Sequence, residues 1–258
     1  MRLTVLGGSS AAPNPGAGCS GYLVETDGGT RLVLDLGPGT LPELRRHVDM
    51  RTLDGIVVSH VHLDHVLDLL ALRHALAYNP RPAARPIPVW LPPGGEQFLA
   101  RAVAPFDECD APGVFAATIE VREYDPNQSL TVGDAVITFA PVVHYVPAWA
   151  MRVAAPGRGG DLAYTGDTGP AAALAEFFRG AAVVISEATL LAAGDQPLAE
   201  RGSLTAAEAG ELARVAGANI LVLTHLWEEL GFAAYRQRAA ATFPGRLEVA
   251  HPGLMVEW

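Results

Sequence analysis

His60-Val61-His62-Leu63-Asp64-His65 places four metal-binding side-chain types within six residues, directly after an apolar run. His60 and His62 are two residues apart, so in an extended segment both imidazoles project to one side. Asp64 and His65 begin a helical pattern, and the turn directs them toward a second point. Four such side chains would be a costly way to fill a core, because buried polar groups need partners. The segment therefore predicts ligands for two neighbouring metal ions.

Each ion needs more ligands than this segment supplies, and three later residues lie at the ends of apolar strand patterns. His144 follows a Pro-Val-Val run, Asp167 lies in a Thr-Gly-Asp turn, and His225 ends the strand that begins at Ile220. An aspartate in such a turn can bridge two ions, because each of its oxygens can face one metal. Taken singly, each strand-end histidine could also be structural. Ligands of this type favour two Zn²⁺ ions, with Mn²⁺ or Fe²⁺ as alternatives.

The length, charge and cysteine content limit the kinds of protein that this sequence can encode. A chain of 258 residues, 50% of them hydrophobic, can bury a sizeable core, and the absence of a linker predicts a single domain over residues 1–258. A formal charge of −10 disfavours broad binding to nucleic acid but is compatible with a small anionic substrate near bound cations. No signal peptide or membrane span is recognisable, and two cysteines without CxxC spacing give no disulfide framework. These features predict a cytoplasmic protein.

Short β-branched runs alternate with helical patterns, which is typical of a protein built from sheet and helix layers. Thr205 and Glu208 form a capping-box pattern that predicts a helix from there to Ala216, ended by Gly217. The predicted strands are residues 2–6, 21–26, 31–36, 53–58, 87–91, 162–165, 183–186 and 220–224, with strands around a turn in 130–143, and the other predicted helices are 64–78, 96–103 and 232–243.

Two segments share one plan. Residues 54–60 and 218–225 each contain a buried strand, then a hydroxyl residue, then a histidine. This repetition predicts two similar halves that deliver ligands from their strand ends to a site at their junction.

The whole pattern resembles the metallo-β-lactamase superfamily over nearly the full chain. The opening loop at residues 6–9 and the strand end at 35–37 fit the same resemblance. It implies an α/β (α+β) fold, a four-layered αβ/βα sandwich. It also implies one ion held by His60, His62 and His144 and a second by Asp64, His65 and His225, with Asp167 bridging them.

The resemblance also assigns roles around the ligands. Asp35 is expected to orient a ligand histidine, although a structural aspartate at a strand end fits equally well. His47, His74 and His251 match no ligand position and are expected to be surface or packing residues.

Two close cations can share a nucleophilic hydroxide, which predicts a hydrolase without fixing its substrate. Residues 139–144, 164–168, 186–189 and 205–209 look like the ribonuclease Z branch and its small phosphodiesterase relatives. We therefore expect a phosphodiesterase acting on a small nucleotide or cyclic nucleotide ester. A lactone, thioester or β-lactam hydrolase and a non-catalytic metal-binding homologue remain open alternatives.

Two departures from ribonuclease Z argue against tRNA as the substrate. The turn at Pro156-Gly157-Arg158-Gly159-Gly160 stands where that enzyme inserts its long RNA-binding arm. Ser203 occupies the position of its leaving-group histidine, and a serine hydroxyl is too weak an acid for that task. Asp64, Asp167 and Glu187 are the predicted catalytic residues, with protonation coming from water, a metal or another group.

The opening loop, residues 8–18, and three aromatic residues are expected to line the pocket. Tyr145, Trp149 and Trp227 follow ligand positions closely, and a nucleobase could stack there, although both tryptophans fit plain packing equally well. The helix at 232–243 could serve a partner chain, so a homodimer is compatible with the sequence but not established by it.

Overall fold

The computed structural model describes residues 1–157 and 159–258; Arg158, in the predicted 156–160 turn, lies outside the described residues. Seven strands form a first sheet in the order β14-β1-β2-β3-β4-β5-β6. Strands β3 to β6 run parallel, so their carboxyl ends meet at one edge. The strands are β1 (Arg2–Gly7), β2 (Gly21–Glu25), β3 (Arg31–Leu36), β4 (Gly55–Val57), β5 (Ile87–Leu91), β6 (Ile119–Glu123) and β14 (Met255–Glu257).

A second seven-stranded sheet repeats this plan in the order β13-β12-β11-β10-β9-β8-β7. Here β10 to β13 run parallel. The strands are β7 (Leu130–Val132), β8 (Ala135–Pro141), β9 (Trp149–Ala154), β10 (Leu162–Tyr164), β11 (Val183–Glu187), β12 (Ile220–Thr224) and β13 (Arg246–Val249).

Helices cover the outer face of each sheet. One core lies between the sheets and draws residues from both, including Tyr22 and Tyr164. A second core packs the first sheet against its helices, and a third does so for the second sheet. The predicted four-layered αβ/βα sandwich is therefore confirmed. The helices are α1 (Thr40–His47), α2 (Leu63–Val66), α3 (Asp68–Ala77), α4 (Gly95–Asp107), α5 (Ala172–Phe177), α6 (Ala206–Ala216) and α7 (Phe232–Ala240).

The predicted start and end of helix α6 are confirmed. The Thr205 side chain accepts a hydrogen bond from the Glu208 amide and the Glu208 side chain accepts one from the Thr205 amide, which is the predicted capping box. Gly217 ends α6 with φ of 78°, in the left-handed region that favours glycine.

The helix predicted over residues 64–78 is divided into two. The amide of Leu70 bonds to the carbonyl of Leu67, which tightens the chain between α2 and α3. Strand β6 was not predicted, because it is a largely exposed edge strand with little apolar signal. Strands β13 and β14 and helices α1 and α5 were also missed. Among residues 1–157 and 159–258, no helix combines the length and apolarity needed to cross a membrane.

Candidate metal centre

The seven predicted ligands converge where the carboxyl ends of the parallel strands meet. Two sets of ligand atoms form, and within each set all atoms lie within 4.8 Å of one another. Asp167 belongs to both sets. The first group is His60, His62, His144 and Asp167, and the second group is Asp64, His65, Asp167 and His225.

The first group brings together one contiguous loop and one distant strand end. Strand β4 ends at Val57, and the loop that follows it carries His60 and His62. His60 Nε2 and His144 Nε2 each lie 3.1 Å from His62 Nδ1. Three imidazole nitrogens therefore face one point.

The second group joins α2 to the end of β12. His225 Nε2 lies 2.9 Å from Asp64 Oδ2, and His65 Nε2 lies 3.5 Å from the same oxygen. The first turn of α2 thus turns Asp64 and His65 away from the point that the first group surrounds.

Asp167 stands between the two groups because of the turn that precedes it. Gly166 has φ of +57°, and a Cβ there would lie 3.2 Å from that of Ser59. Glycine is favoured in this left-handed, closely packed position. Asp167 Oδ1 lies 3.3 Å from His65 Nε2, and its Oδ2 lies 3.2 Å from His225 Nε2 and 3.8 Å from His60 Nε2.

Two buried polar atoms show that the cluster fits a cation. His65 Nε2 and Asp167 Oδ1 have no hydrogen-bond partner among the described residues. Orphaned atoms of this kind are rare in folded proteins, since each costs roughly 1–3 kcal/mol. Both face the other ligand atoms, and the nitrogen and oxygen donors suit a divalent transition metal. The cluster is therefore compatible with a metal site.

The two groups differ in their electrostatics. Burial lowers the pKa values of His60, His62 and His144, which keeps these imidazoles neutral and able to act as ligands. Burial also acts to lower the pKa values of His65 and His225. In both, the charge of Asp167 and contacts with other carboxylates outweigh burial and raise the pKa.

Asp35 contacts the second group through the Nδ1 atom of His65. Its Oδ2 lies 2.7 Å from His65 Nδ1, the contact expected of a residue that orients a ligand histidine. The amide and hydroxyl of Ser59 and the hydroxyl of Tyr164 also donate to this carboxylate, at 2.7–2.8 Å. With no exposed surface and four partners, Asp35 is fixed in place.

Other ligands are also held through their second nitrogen. Gly202 O lies 2.8 Å from His144 Nδ1, and Thr189 Oγ1 lies 2.7 Å from His225 Nδ1. Such contacts set the ring orientation and the nitrogen that faces the metal.

Glu187, predicted to be catalytic, is placed behind the site. It is fully buried, and its oxygens accept hydrogen bonds from the amide of Thr168 and from Thr189. Burial and the charge of Asp167 raise its pKa to about 7. Glu187 thus contacts Thr189, which contacts His225, and this arrangement favours a positioning role; the predicted catalytic role remains a prediction.

Backbone strain is concentrated at the same place. Among the described residues, the non-glycine residues with positive φ are Ala11, Asp35 and His225. The amide of Ala11 lies 3.1 Å from Asp64 Oδ2 and donates to it, so all three support or form the second group. Each such conformation costs on the order of 1–3 kcal/mol and persists only where the surroundings enforce it.

The predicted pocket residues occupy different environments. Tyr145 is 61% exposed, and its ring centroid lies 5.1 Å from that of His144. Trp149 is half-buried against the core between the sheets. Trp227 is half-buried beyond His225, and Ser203 is half-buried beside Gly202. Tyr145 is therefore the aromatic residue of the three best placed for contact with a substrate.

Sequence reasoning missed several supporting residues. Tyr164, Thr189 and the backbone groups of Ala11 and Gly202 all contact ligands or their partners. The residue types of Ala11 and Gly202 carry no chemical signal, since backbone atoms make their contacts. Tyr164 and Thr189 lay within the motifs that resembled ribonuclease Z, and that was the only signal for them.

These features define a class. Residues 30–226 match the model of the β-lactamase superfamily domain, and the chain belongs to that family. Together with the His/Asp cluster, this membership supports a metal-dependent hydrolase at the level of the superfamily.

Individual relatives extend the likeness to the whole chain. An uncharacterized protein of Mycobacterium leprae, ML1173, is 33% identical over 236 residues, which cover 88% of this chain and 78% of that protein. The probable metallo-hydrolase YhfI of Bacillus subtilis is 29% identical over the full length of both chains. Its crystal structure superposes with a TM-score of 0.82 over 99% of each chain, at 27% identity. Ribonuclease Z of Methanothermobacter thermautotrophicus is 26% identical over 276 residues, covering 88% of this chain and 86% of that enzyme.

Proposed function

We propose that the protein is a dinuclear-metal-dependent phosphodiesterase that acts on a small nucleotide or cyclic nucleotide ester. The observation that carries the proposal is the position of Asp167, whose carboxylate belongs to both ligand groups. A carboxylate shared in this way suits two ions held side by side. Two divalent cations, for which Zn²⁺ suits the ligands best and Mn²⁺ or Fe²⁺ are alternatives, would supply activated water and stabilise charge in an in-line displacement.

The residues of the chain have distinct tasks in this proposal. The first group supplies neutral imidazoles, and His62 and His144 are its half-buried members. Asp64 Oδ2 accepts a hydrogen bond from the Ala11 amide and lies 2.9 Å from His225 Nε2, and these contacts fix the carboxylate within the second group. Asp35 and Glu187 keep His65 and His225 in place.

Leaving-group protonation limits the substrate. The hydroxyl of Ser203 is too weak an acid to protonate an alkoxide leaving group at neutral pH. We infer that water protonates the leaving oxygen or that the substrate has a good leaving group.

The surroundings favour a small substrate over tRNA. Only seven residues, 155–161, connect β9 to β10, and the chain carries a formal charge of −10. The exposed ring of Tyr145 next to His144 offers a face on which a nucleobase can stack. These features support a mononucleotide-sized ester.

We further propose one domain over residues 1–258 and action in the cytoplasm. The core between the sheets contains residues of both halves, and this shared core supports a single domain. Cys19 and Cys109 are free thiols, which suits a reducing compartment.

Parallel assays of one zinc-loaded preparation test this function. We expect turnover of bis(p-nitrophenyl) phosphate and cyclic AMP, and none of nitrocefin or an acyl thioester. His62→Ala should abolish most of this turnover, whereas His74→Ala, on α3 and in neither ligand group, should retain it. Activity confined to nitrocefin or the thioester would overturn the phosphodiesterase. Two bound ions without any turnover would favour the non-catalytic homologue.

A further inference from the structure

A second polar surface lies away from the metal centre. The arginine groove, a cavity of about 680 Å³, is lined by residues at the end of α1, in the turn after it and after α3. Its charged and titratable lining residues are Arg45, Arg46, His47, Asp49, Arg51 and Arg81.

The charge of the groove is opposite to that of the chain. The sequence contains no lysine, and all 18 basic residues are arginines in a protein with a formal charge of −10. Four of these arginines line this one groove, against a single aspartate. Like charges gathered in one concave surface repel one another, so the arrangement is unfavourable unless an anion offsets it.

Pairing within the protein accounts for only half of these guanidinium groups. Arg46 pairs with Glu43 at 2.8 Å, and Arg51 pairs with Asp49 through several hydrogen bonds. In the part of the chain that the structure describes, neither Arg45 nor Arg81 makes an ion pair. Two guanidinium groups are thus free to bind an external anion.

Helix stabilisation explains only part of the cluster. Arg45, Arg46 and His47 lie in the last turn of α1, where positive charge is favourable. Arg51 and Arg81 come from other segments, and Arg51 donates a hydrogen bond to the carbonyl of Arg81 at 3.1 Å. This bond holds two cationic residues together, which the helix end does not require.

The groove is at the opposite end of the first half from the metal centre. Helix α3 begins at Asp68, just after His65, and ends at Ala77, just before the segment that carries Arg81. Its ten residues span about 15 Å at 1.5 Å per residue. A ligand in the groove is therefore separate from a substrate at the ligand groups.

We propose that the arginine groove binds the phosphate group of a small molecule. Guanidinium groups form paired, charge-assisted hydrogen bonds with phosphate oxygens, and two free arginines match one phosphate or diphosphate. A long nucleic acid is disfavoured, because beyond the groove it would meet an acidic surface. The proposal does not depend on the reaction catalysed at the metal centre.

Calorimetric titration of the metal-loaded protein with inorganic pyrophosphate tests the groove. The variant Arg45→Gln/Arg81→Gln removes the two free guanidinium groups. Arg236→Gln/Arg238→Gln is the matched control, since it removes the same charge from exposed arginines of α7. Any binding at the metal centre is common to all three proteins, so their difference isolates the groove.

We expect wild type and control to bind one equivalent of pyrophosphate that the groove variant loses or binds at least tenfold more weakly. Added salt should weaken this equivalent, because the interaction is between exposed charges. Equal stoichiometry and affinity in all three proteins would overturn the proposal. Tighter, Arg45- and Arg81-dependent binding of a single-stranded oligonucleotide would overturn the assignment to a small molecule.

Discussion

The two ligand groups share Asp167, but their histidine pKa values are shifted in opposite directions. The first group sets three imidazoles with lowered pKa values around that carboxylate, and His62 is half-buried. The second group contains a second carboxylate, Asp64, and is fully buried. Its member His225 and the supporting residues Asp35 and Ala11 have positive φ angles. A site with two carboxylates and a fixed outer shell should hold a divalent cation more tightly. We therefore expect the first group to be the more accessible to substrate and the first to lose its ion to a chelator.

Removing the shared carboxylate should have the largest effect. Asp167→Asn keeps the shape of the side chain but removes the charge that both groups use. We expect hydrolysis of bis(p-nitrophenyl) phosphate to fall by about 10³-fold or more. Elemental analysis should show fewer than two ions per chain, and a variant that retained both ions and its activity would contradict the sharing of Asp167.

Single-group substitutions should separate the two ions. His62→Ala affects the first group alone and Asp64→Asn the second alone, so each should cost one ion. We expect kcat/KM to fall on the order of 10²-fold in each variant. Elemental analysis after mild chelation should show the remaining ion bound more firmly in His62→Ala. The opposite order would reverse the comparison between the groups.

Loss of the Asp35 carboxylate should weaken metal binding by the second group, although Asp35 is not itself a predicted ligand. Asp35→Asn is expected to lower zinc affinity by roughly 10–100-fold, since it loosens the orientation of His65. Tyr164→Phe removes one of four hydrogen bonds to Asp35 and should have a smaller effect in the same direction.

Tyr22→Phe is the control for these two variants. Tyr22 is a fully buried tyrosine 4.9 Å from the ring of Tyr164, but its hydroxyl contacts Thr224 rather than Asp35. Competition with a fluorescent zinc chelator measures all three, and thermal melting checks that each is folded. Equal zinc affinity in Asp35→Asn and wild type would remove the proposed role of Asp35.

The backbone of the opening loop should contribute least. Ala11→Pro removes the amide that donates to Asp64, and we expect zinc affinity of the second group to fall by about tenfold. Ala11→Gly keeps the amide and relieves the positive φ, so its zinc content should match wild type. Its free energy of unfolding should change by less than about 1 kcal/mol. Equal loss of zinc in both variants would mean that loop flexibility, and not this hydrogen bond, is responsible.

The contrast between the groups also explains which parts of the site were predictable. His60, His62, Asp64 and His65 are contiguous, so spacing alone related them to one another. His144, Asp167 and His225 are scattered; their positions at strand ends suggested them as ligands, and the resemblance to a family assigned each of them to an ion. Glu187 was assigned to catalysis by the same resemblance. The structure places it behind His225 and fully buried, and its own motif gave no sign of that burial.

The fold shows a similar division. Central strands such as β11 and β12 are strongly apolar, so their sequences predicted them. The edge strand β6 is largely exposed and has little apolar pattern, and it forms by pairing with β5. The capping box at Thr205 was readable because both of its partners lie within four residues.

By itself, the sequence determined the strands that supply the ligands, the chemical types of those ligands and the likeness of the two halves. These properties are local, since they depend on neighbours a few residues apart. Only the tertiary structure decided that Tyr164 donates to Asp35, that Ala11 supports Asp64 and that distant arginines line one groove. Such contacts join residues far apart along the chain, and their distances are set by how strands, helices and loops pack against one another.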